Sequence, residues 1–114
     1  MEKTINIGGR DVPLKATGAF LLKYKAQFKR DALQDIFKMT NAFTKTGEVK
    51  DAESLDVDIF YYFVWTLAKT ADNNIPELEE WLDSFDEFPI MDIIPEVVEM
   101  VMLTLTSSVK AKKK

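Results

Sequence analysis

Residues Asp56–Ala71 read Asp-Val-Asp-Ile-Phe-Tyr-Tyr-Phe-Val-Trp-Thr-Leu-Ala-Lys-Thr-Ala, and from Ile59 to Leu67 only Thr66 is neither apolar nor aromatic. A surface helix shows an apolar stripe and a polar face. This segment is apolar all round, so it reads as a helix buried on most sides. A short apolar run of this composition also fits a buried strand. Its length, and the Leu-Ala-Lys-Thr-Ala continuation without a turn signal, favour the helix. Asp56 and Asp58 stand where carboxylates oppose the positive end of the helix dipole, and Lys69 suits the last turn. Burying one large apolar side chain is worth roughly 1.5–3 kcal/mol. Ile59, Phe60, Phe63, Val64, Trp65 and Leu67 would therefore supply much of a small domain's driving force. The run is shorter than the roughly 20 apolar residues of a membrane span.

The chain around it has 114 residues, 46% hydrophobic and 30% charged, the profile of one globular domain. It contains no cysteine and no histidine. Disulfides, thiolate metal sites and cysteine nucleophiles are excluded, as are the commonest general base and the commonest transition-metal ligand. No signal peptide is visible, which points to a cytoplasmic protein. The net charge of −4 is unevenly spread. Residues 1–50 hold ten Lys or Arg against five Asp or Glu, and residues 51–114 hold five Lys against fourteen acids. An acidic half disfavours duplex DNA. The asymmetry permits contacts between unlike faces, or reads simply as a helix with a solvated acidic side.

In chain order, Ile5, Ile7, Val12 and Leu14 alternate with polar residues on either side of Gly8-Gly9, which predicts a β-hairpin with a two-residue turn. Pro13 confines the second strand to an edge. The glycine pair lacks the lysine and hydroxyl residue of a phosphate loop and reads as a turn. Residues 16–28 form an expected helix, with Thr17 as N-cap and Phe20, Leu21, Tyr24 and Phe28 on one face. Lys23, Lys25, Lys29 and Arg30 make a basic patch, either a solvated face or a site for an acidic partner. A second helix is expected over 31–44, capped by Asp31, with Leu33, Ile36, Phe37 and Thr40 as its stripe and Phe43 extending it. Residues 45–55 read as a loop. After the central helix, Asn74 and Glu77 suggest a capping box with Pro76 in the first turn. Leu78, Trp81, Leu82 and Phe85 form the next stripe, and Glu77, Glu79, Glu80 and Asp83 fill its polar side. Paired carboxylates can run acid–base chemistry or hold a hard cation, but this spacing follows from a helix surface.

Asp92 is a candidate cap for the last helix, with Pro95 in its first turn. Ile94, Val97, Val98, Val101, Met102, Leu105 and Val109 make its stripe. Met100 and Leu103, flanked by Glu96 and Glu99, lie off that stripe. They are either further core or a soft contact surface. The expected architecture is mostly α (α+β): a single domain over residues 1–109 whose hairpin occupies residues 1–14, about five packed helices, and a disordered Lys-rich tail over residues 110–114.

This series of elements resembles the tail assembly chaperones of long-tailed bacteriophages, in the form found in phages of Gram-positive hosts. The residues that carry the likeness are Thr4-Ile-Asn-Ile-Gly-Gly-Arg-Asp-Val-Pro-Leu14, the Phe20-Leu-Leu-Lys-Tyr24 helix, the aromatic central helix, the acidic helix pair and the Lys-rich end. It covers nearly the whole chain. Where members often carry Gly or Gly-Asp after the first helix, this chain has Lys29-Arg30-Asp31. The resemblance implies a non-enzymatic protein that binds the tape measure protein, keeps its apolar helices soluble and promotes assembly of tail tube protein around it. It implies action in the host cytoplasm and absence from the finished virion, with no cofactor, nucleic acid or membrane as partner. Many members exist in a short and a frameshifted longer form. Lys112–Lys114 fit an A-rich slippery run, a hypothesis that the nucleotide sequence refutes if it shows no such run and no overlapping frame. For client binding, the expected mechanism is a groove on the last helix, with Met100 and Leu103 as anchors and Glu96 and Glu99 as an acidic rim. Such a surface self-associates when empty, so a homo-oligomer is expected. The competing expectation is a permanent tail or connector subunit, distinguished by its presence in virions. A small enzyme would have to run on Asp, Glu, Lys, Tyr or Ser, and no constellation of these rises above helix-face spacing.

Overall fold

A computed structural model of the chain describes residues 1–42 and 56–112, with the backbone alone for 106–112. Gly8 and Gly9 both adopt positive φ, 58° and 89°, and close a two-residue turn between β1 (Glu2–Ile7) and β2 (Arg10–Lys15). The strands pair antiparallel with Ile7 opposite Arg10 and Ile5 opposite Val12. Ladder bonds alternate along such a pair, so Pro13, opposite Thr4, occupies a position where its missing N–H faces away from β1. Ile5, Ile7, Val12 and Leu14 all point into the core. The open end of the hairpin is tied by Ala16 N to Met1 O at 2.8 Å and by the Met1 amine to Ala16 O at 3.0 Å.

The first helix, α1 (Phe20–Phe28), starts four residues later than the sequence predicts. Thr17 does not cap it: its Oγ1 accepts from Ala19 N at 3.2 Å within a tight turn, and Gly18 is a poor helix former. α2 (Ala32–Asn41) begins as expected, with Asp31 Oδ1 accepting from Leu33 N at 2.9 Å and Gln34 N at 3.4 Å. Of the predicted stripe only Ile36 is buried. Ala32, Asp35, Ile36 and Met39 are buried, whereas Leu33 and Phe37 face solvent. The physical reason is Asp35: its carboxylate bonds inward to Tyr24 and Arg30 and turns that side of the helix towards the core. Phe43 and the loop read at 45–55 lie outside the described residues.

The stretch that opened the sequence reading is α3 (Val57–Ala71), capped by Asp56 Oδ1 accepting from Asp58 N at 3.1 Å. Ile59, Phe60 and every residue from Phe63 to Ala68 are buried. The helix packs against β2, α1 and α5 (Ile90–Lys112) and touches α4 (Leu78–Asp83). Phe63 meets Phe20 and Tyr24 at ring separations of 5.8 and 5.1 Å, and Phe28 stacks on Tyr62 at 4.5 Å. Lys69 Nζ closes the C-terminal side by donating to Asn73 O at 2.7 Å and Ile75 O at 2.8 Å.

The capping box expected from Asn74 and Glu77 does not form. Glu77 itself stands at the N-cap of α4 without a side-chain cap bond, and its Oε2 accepts from Gln27 at 2.9 Å. Trp81 is buried beneath a second aromatic group with Phe85 and Phe88. Arg10 covers that group, its guanidinium carbon 3.5 Å from the Phe85 ring centroid. α5 begins at Ile90, so Asp92 lies in its first turn and is not the cap, and Pro95 is its sixth residue. The helix is described to Lys112, so part of the tail expected at 110–114 continues its last turns and the rest lies outside the described residues.

Candidate client-binding surfaces

The four residues singled out on the last helix fall within about 100° of one another, but that arc crosses the edge of the buried side. Ile93, Ile94, Val97, Met100 and Val101 form the buried side of α5, and Met100 is 0% exposed. Of the two roles open to Met100, the structure assigns it to the core, so it does not anchor a groove on the free surface. Leu103 is 39% exposed. At 100° per residue, Met91 and Leu103 lie about 120° apart, at the two edges of the outer side of α5, with Pro95 and Glu99 between them. Met91 is 53% exposed with exposed Asp92 next to it, and exposed Glu99 stands one turn before Leu103. Met102, placed in the predicted stripe, is also partly exposed, and the side chain of Val109 lies outside the described residues. Glu96 is half-buried and forms an ion pair with Lys3 of β1. The Lys3 ammonium is held above its ordinary value chiefly by that hydrogen bond, burial pulling the other way and the Glu96 and Glu99 charges adding to it. Glu96 is thus engaged within the chain, and Glu99 and Asp92 supply the open acidic edge.

A second exposed apolar surface crosses α1 and α2, and the periodicity reading did not anticipate it. Leu22 is 74% exposed, Phe37 62% and Leu33 39%. Leu22 and Leu33 line one shallow depression of about 170 Å³ that also includes Lys25 and Asp31. The sequence signal was the adjacency of Leu21 with Leu22 and of Ile36 with Phe37: neighbouring residues on a helix point about 100° apart, so on a helix covered on one side one of such a pair can face outward. The rim is mixed in charge, with Lys25, Lys29, Asp31 and Lys38 exposed and Lys38 paired with Asp56. Arg30 does not join it, because its guanidinium is bound to Asp35.

That interaction is the main buried polar network. Tyr24 donates its hydroxyl to Asp35 Oδ2 at 2.6 Å, and Arg30 donates through Nε to Oδ2 at 2.8 Å and through Nη2 to Oδ1 at 2.9 Å. Burial and the bond to Asp35 push the Tyr24 phenol far above its ordinary range. Burial also works against the Asp35 carboxylate, but the hydrogen bonds from Arg30 and Tyr24 outweigh it and leave Asp35 below the usual value. A phenol held neutral and a carboxylate saturated by three donors hold the two helices together. They leave neither a base nor an acid poised near neutrality.

Among the described residues no group of three acidic, His or Cys side chains is placed to hold a metal ion, and no helix is long and apolar enough to cross a membrane. A groove of about 270 Å³ between α1 and α3 runs past Lys23, Trp65 and Lys69. Two of Lys69's donors are already given to the backbone there. Compared with known proteins, the chain matches no family model, no curated protein and no solved structure.

Proposed function

We propose that this chain is a tail assembly chaperone: it binds the tape measure protein of a long-tailed phage in the host cytoplasm, keeps it soluble, promotes tube assembly around it and is absent from the finished virion. The observation that carries the reading is the outer side of α5, where Met91 next to Asp92, and Leu103 one turn from Glu99, are exposed. Exposed apolar side chains rimmed by charge are the features of a surface that takes amphipathic helices. The acidic edge favours client helices that carry lysine or arginine beside their apolar stripe. Placing Met100 in the core moves the anchors of the proposed groove to Met91 and Leu103.

The test is a pull-down of the tape measure protein encoded in the same gene cluster, combined with mass spectrometry of purified virions. Co-purification of the tape measure protein, with this chain missing from virions, supports the chaperone. Its presence in virions at fixed stoichiometry replaces that reading with a structural tail or connector subunit.

A further inference from the structure

We infer that the outer edge of β1 takes an extended, lysine- or arginine-bearing segment of a partner polypeptide as a third strand. Met1 and Ala16 exchange both backbone bonds at the open end of the hairpin. Bonded and non-bonded pairs alternate along an antiparallel ladder. Lys3–Leu14, Ile5–Val12 and Ile7–Arg10 are therefore the other bonded pairs, and the N–H and C=O groups of Glu2, Thr4 and Asn6 point away from β2. These three residues are exposed, and among the described residues neither a third strand nor a hydrogen bond reaches those backbone groups. A row of free donors and acceptors at strand spacing is matched by the backbone of another strand.

The two edges of the hairpin are not equivalent. On β2 the outward groups belong to Asp11, Pro13 and Lys15, and Pro13 has no N–H to offer at the middle of that edge. On β1 neither a proline nor a bulge interrupts the edge.

The surroundings select the side chains of the added strand. β2 rests on α3, and Lys3 joins β1 to Glu96 of α5. Adjacent strands lie about 4.8 Å apart, and packed helices about 8–10 Å apart. A strand one further step out from β2 therefore comes to lie beside α5. Asp92, Glu96 and Glu99 fall within about 60° of one another around that helix. Glu96 is taken up by Lys3, the Met1 amine is bonded to Ala16 O, and Glu2 stands opposite Lys15. Asp92 and Glu99 are exposed, and neither is in an ion pair among the described residues. The flank therefore favours a basic segment.

This site belongs to the hairpin and does not depend on the chaperone reading. The experiment is an NMR titration of the isotope-labelled chain with a blocked seven-residue peptide of alternating Lys and Val. The amides of Glu2, Thr4 and Asn6 should move most, and their hydrogen exchange should slow severalfold at saturation as each gains a main-chain partner. The same peptide N-methylated along its backbone keeps its charge, loses its donors and should bind about tenfold more weakly. A peptide of alternating Glu and Val should bind severalfold more weakly at low salt. Thr4→Pro removes the central donor of the edge. That N–H makes no β1–β2 bond, so circular dichroism should show the variant folded, with binding of the Lys–Val peptide weakened about tenfold.

Equal binding of the plain and N-methylated peptides to the wild-type chain overturns the inference, and this comparison decides it alone if Thr4→Pro does not fold. Undiminished binding by folded Thr4→Pro overturns it too. So does the absence of shifts at Glu2, Thr4 and Asn6 with millimolar peptide, or shifts confined to α1 and α2. Binding of the Glu–Val peptide as tight as that of the Lys–Val peptide overturns the preference for a basic segment. None of these results bears on the solubility of the tape measure protein, which tests the chaperone.

Discussion

Asp35→Ala should cost this small domain about 3–4 kcal/mol. The Asp35 carboxylate is 8% exposed and accepts three hydrogen bonds, two from Arg30 and one from Tyr24. Removing it strands the Tyr24 hydroxyl, whose residue is 0% exposed, and an unsatisfied buried hydroxyl costs about 1–3 kcal/mol. The Arg30 side chain is 39% exposed, so water recovers part of its solvation. Its two charge-assisted bonds then contribute nearer 1–2 kcal/mol than the 3–5 of a fully buried pair. Against a total stability of about 5–15 kcal/mol the loss is large. It corresponds to a melting temperature lower by roughly 10–15 °C. Trp65 and Trp81 are 4% and 3% exposed, so their fluorescence reports unfolding in urea directly. Tyr24→Phe, which leaves Asp35 its two Arg30 bonds, should cost only about 1–1.5 kcal/mol. If Asp35→Ala costs less than about 1 kcal/mol, the network does not hold α1 to α2, and the outward turn of Phe37 needs another cause.

The same network contributes to both limbs of the pH profile. The Asp35 pKa is depressed on folding, so its stabilisation is present above the ordinary aspartate value near 3.9 and is lost as the pH falls below it; Asp35→Asn should flatten that acid limb in urea titrations. The Tyr24 pKa is raised, so its stabilisation is present below about pH 10 and fades above it, and Tyr24→Phe should lose less stability than wild type between pH 10 and 11. Gly8→Ala should cost more than about 2 kcal/mol by urea denaturation, because φ is 58° and the added Cβ would lie 2.2 Å from the Glu87 carbonyl oxygen; Gly9→Ala meets open space and should cost only about 1. Lys29 ends α1 at φ 58°, the conformation glycine favours, so Lys29→Gly should leave the melting temperature unchanged or raise it by a few degrees.

Much of this fold was legible because its signals were strong and local. The aromatic run at 59–67 has no polar side to expose, Gly8-Gly9 allows positive φ where a tight hairpin needs it, and Asp31 and Asp56 are ordinary caps. The apolar stripes were less legible. Periodicity ranks residues by hydrophobicity, so it placed Leu33 and Phe37 inside and gave no reason to bury Asp35. A carboxylate enters a core only when donors from elsewhere in the chain meet it, and the pairing with Tyr24 and Arg30 becomes apparent only once α1 and α2 are packed. Met100 shows the opposite case. Its two roles could not be separated from sequence because α5 is apolar over much of its circumference, and contact with the rest of the core decides which residues are covered.

The measurement that bears most directly on function is the soluble yield of the tape measure protein on co-expression with this chain. Wild type should carry it into the soluble fraction, and Met91→Ser with Leu103→Ser should leave most of it insoluble while the variant itself stays folded. If the tape measure protein is equally insoluble with and without the wild-type chain, the chaperone account is contradicted.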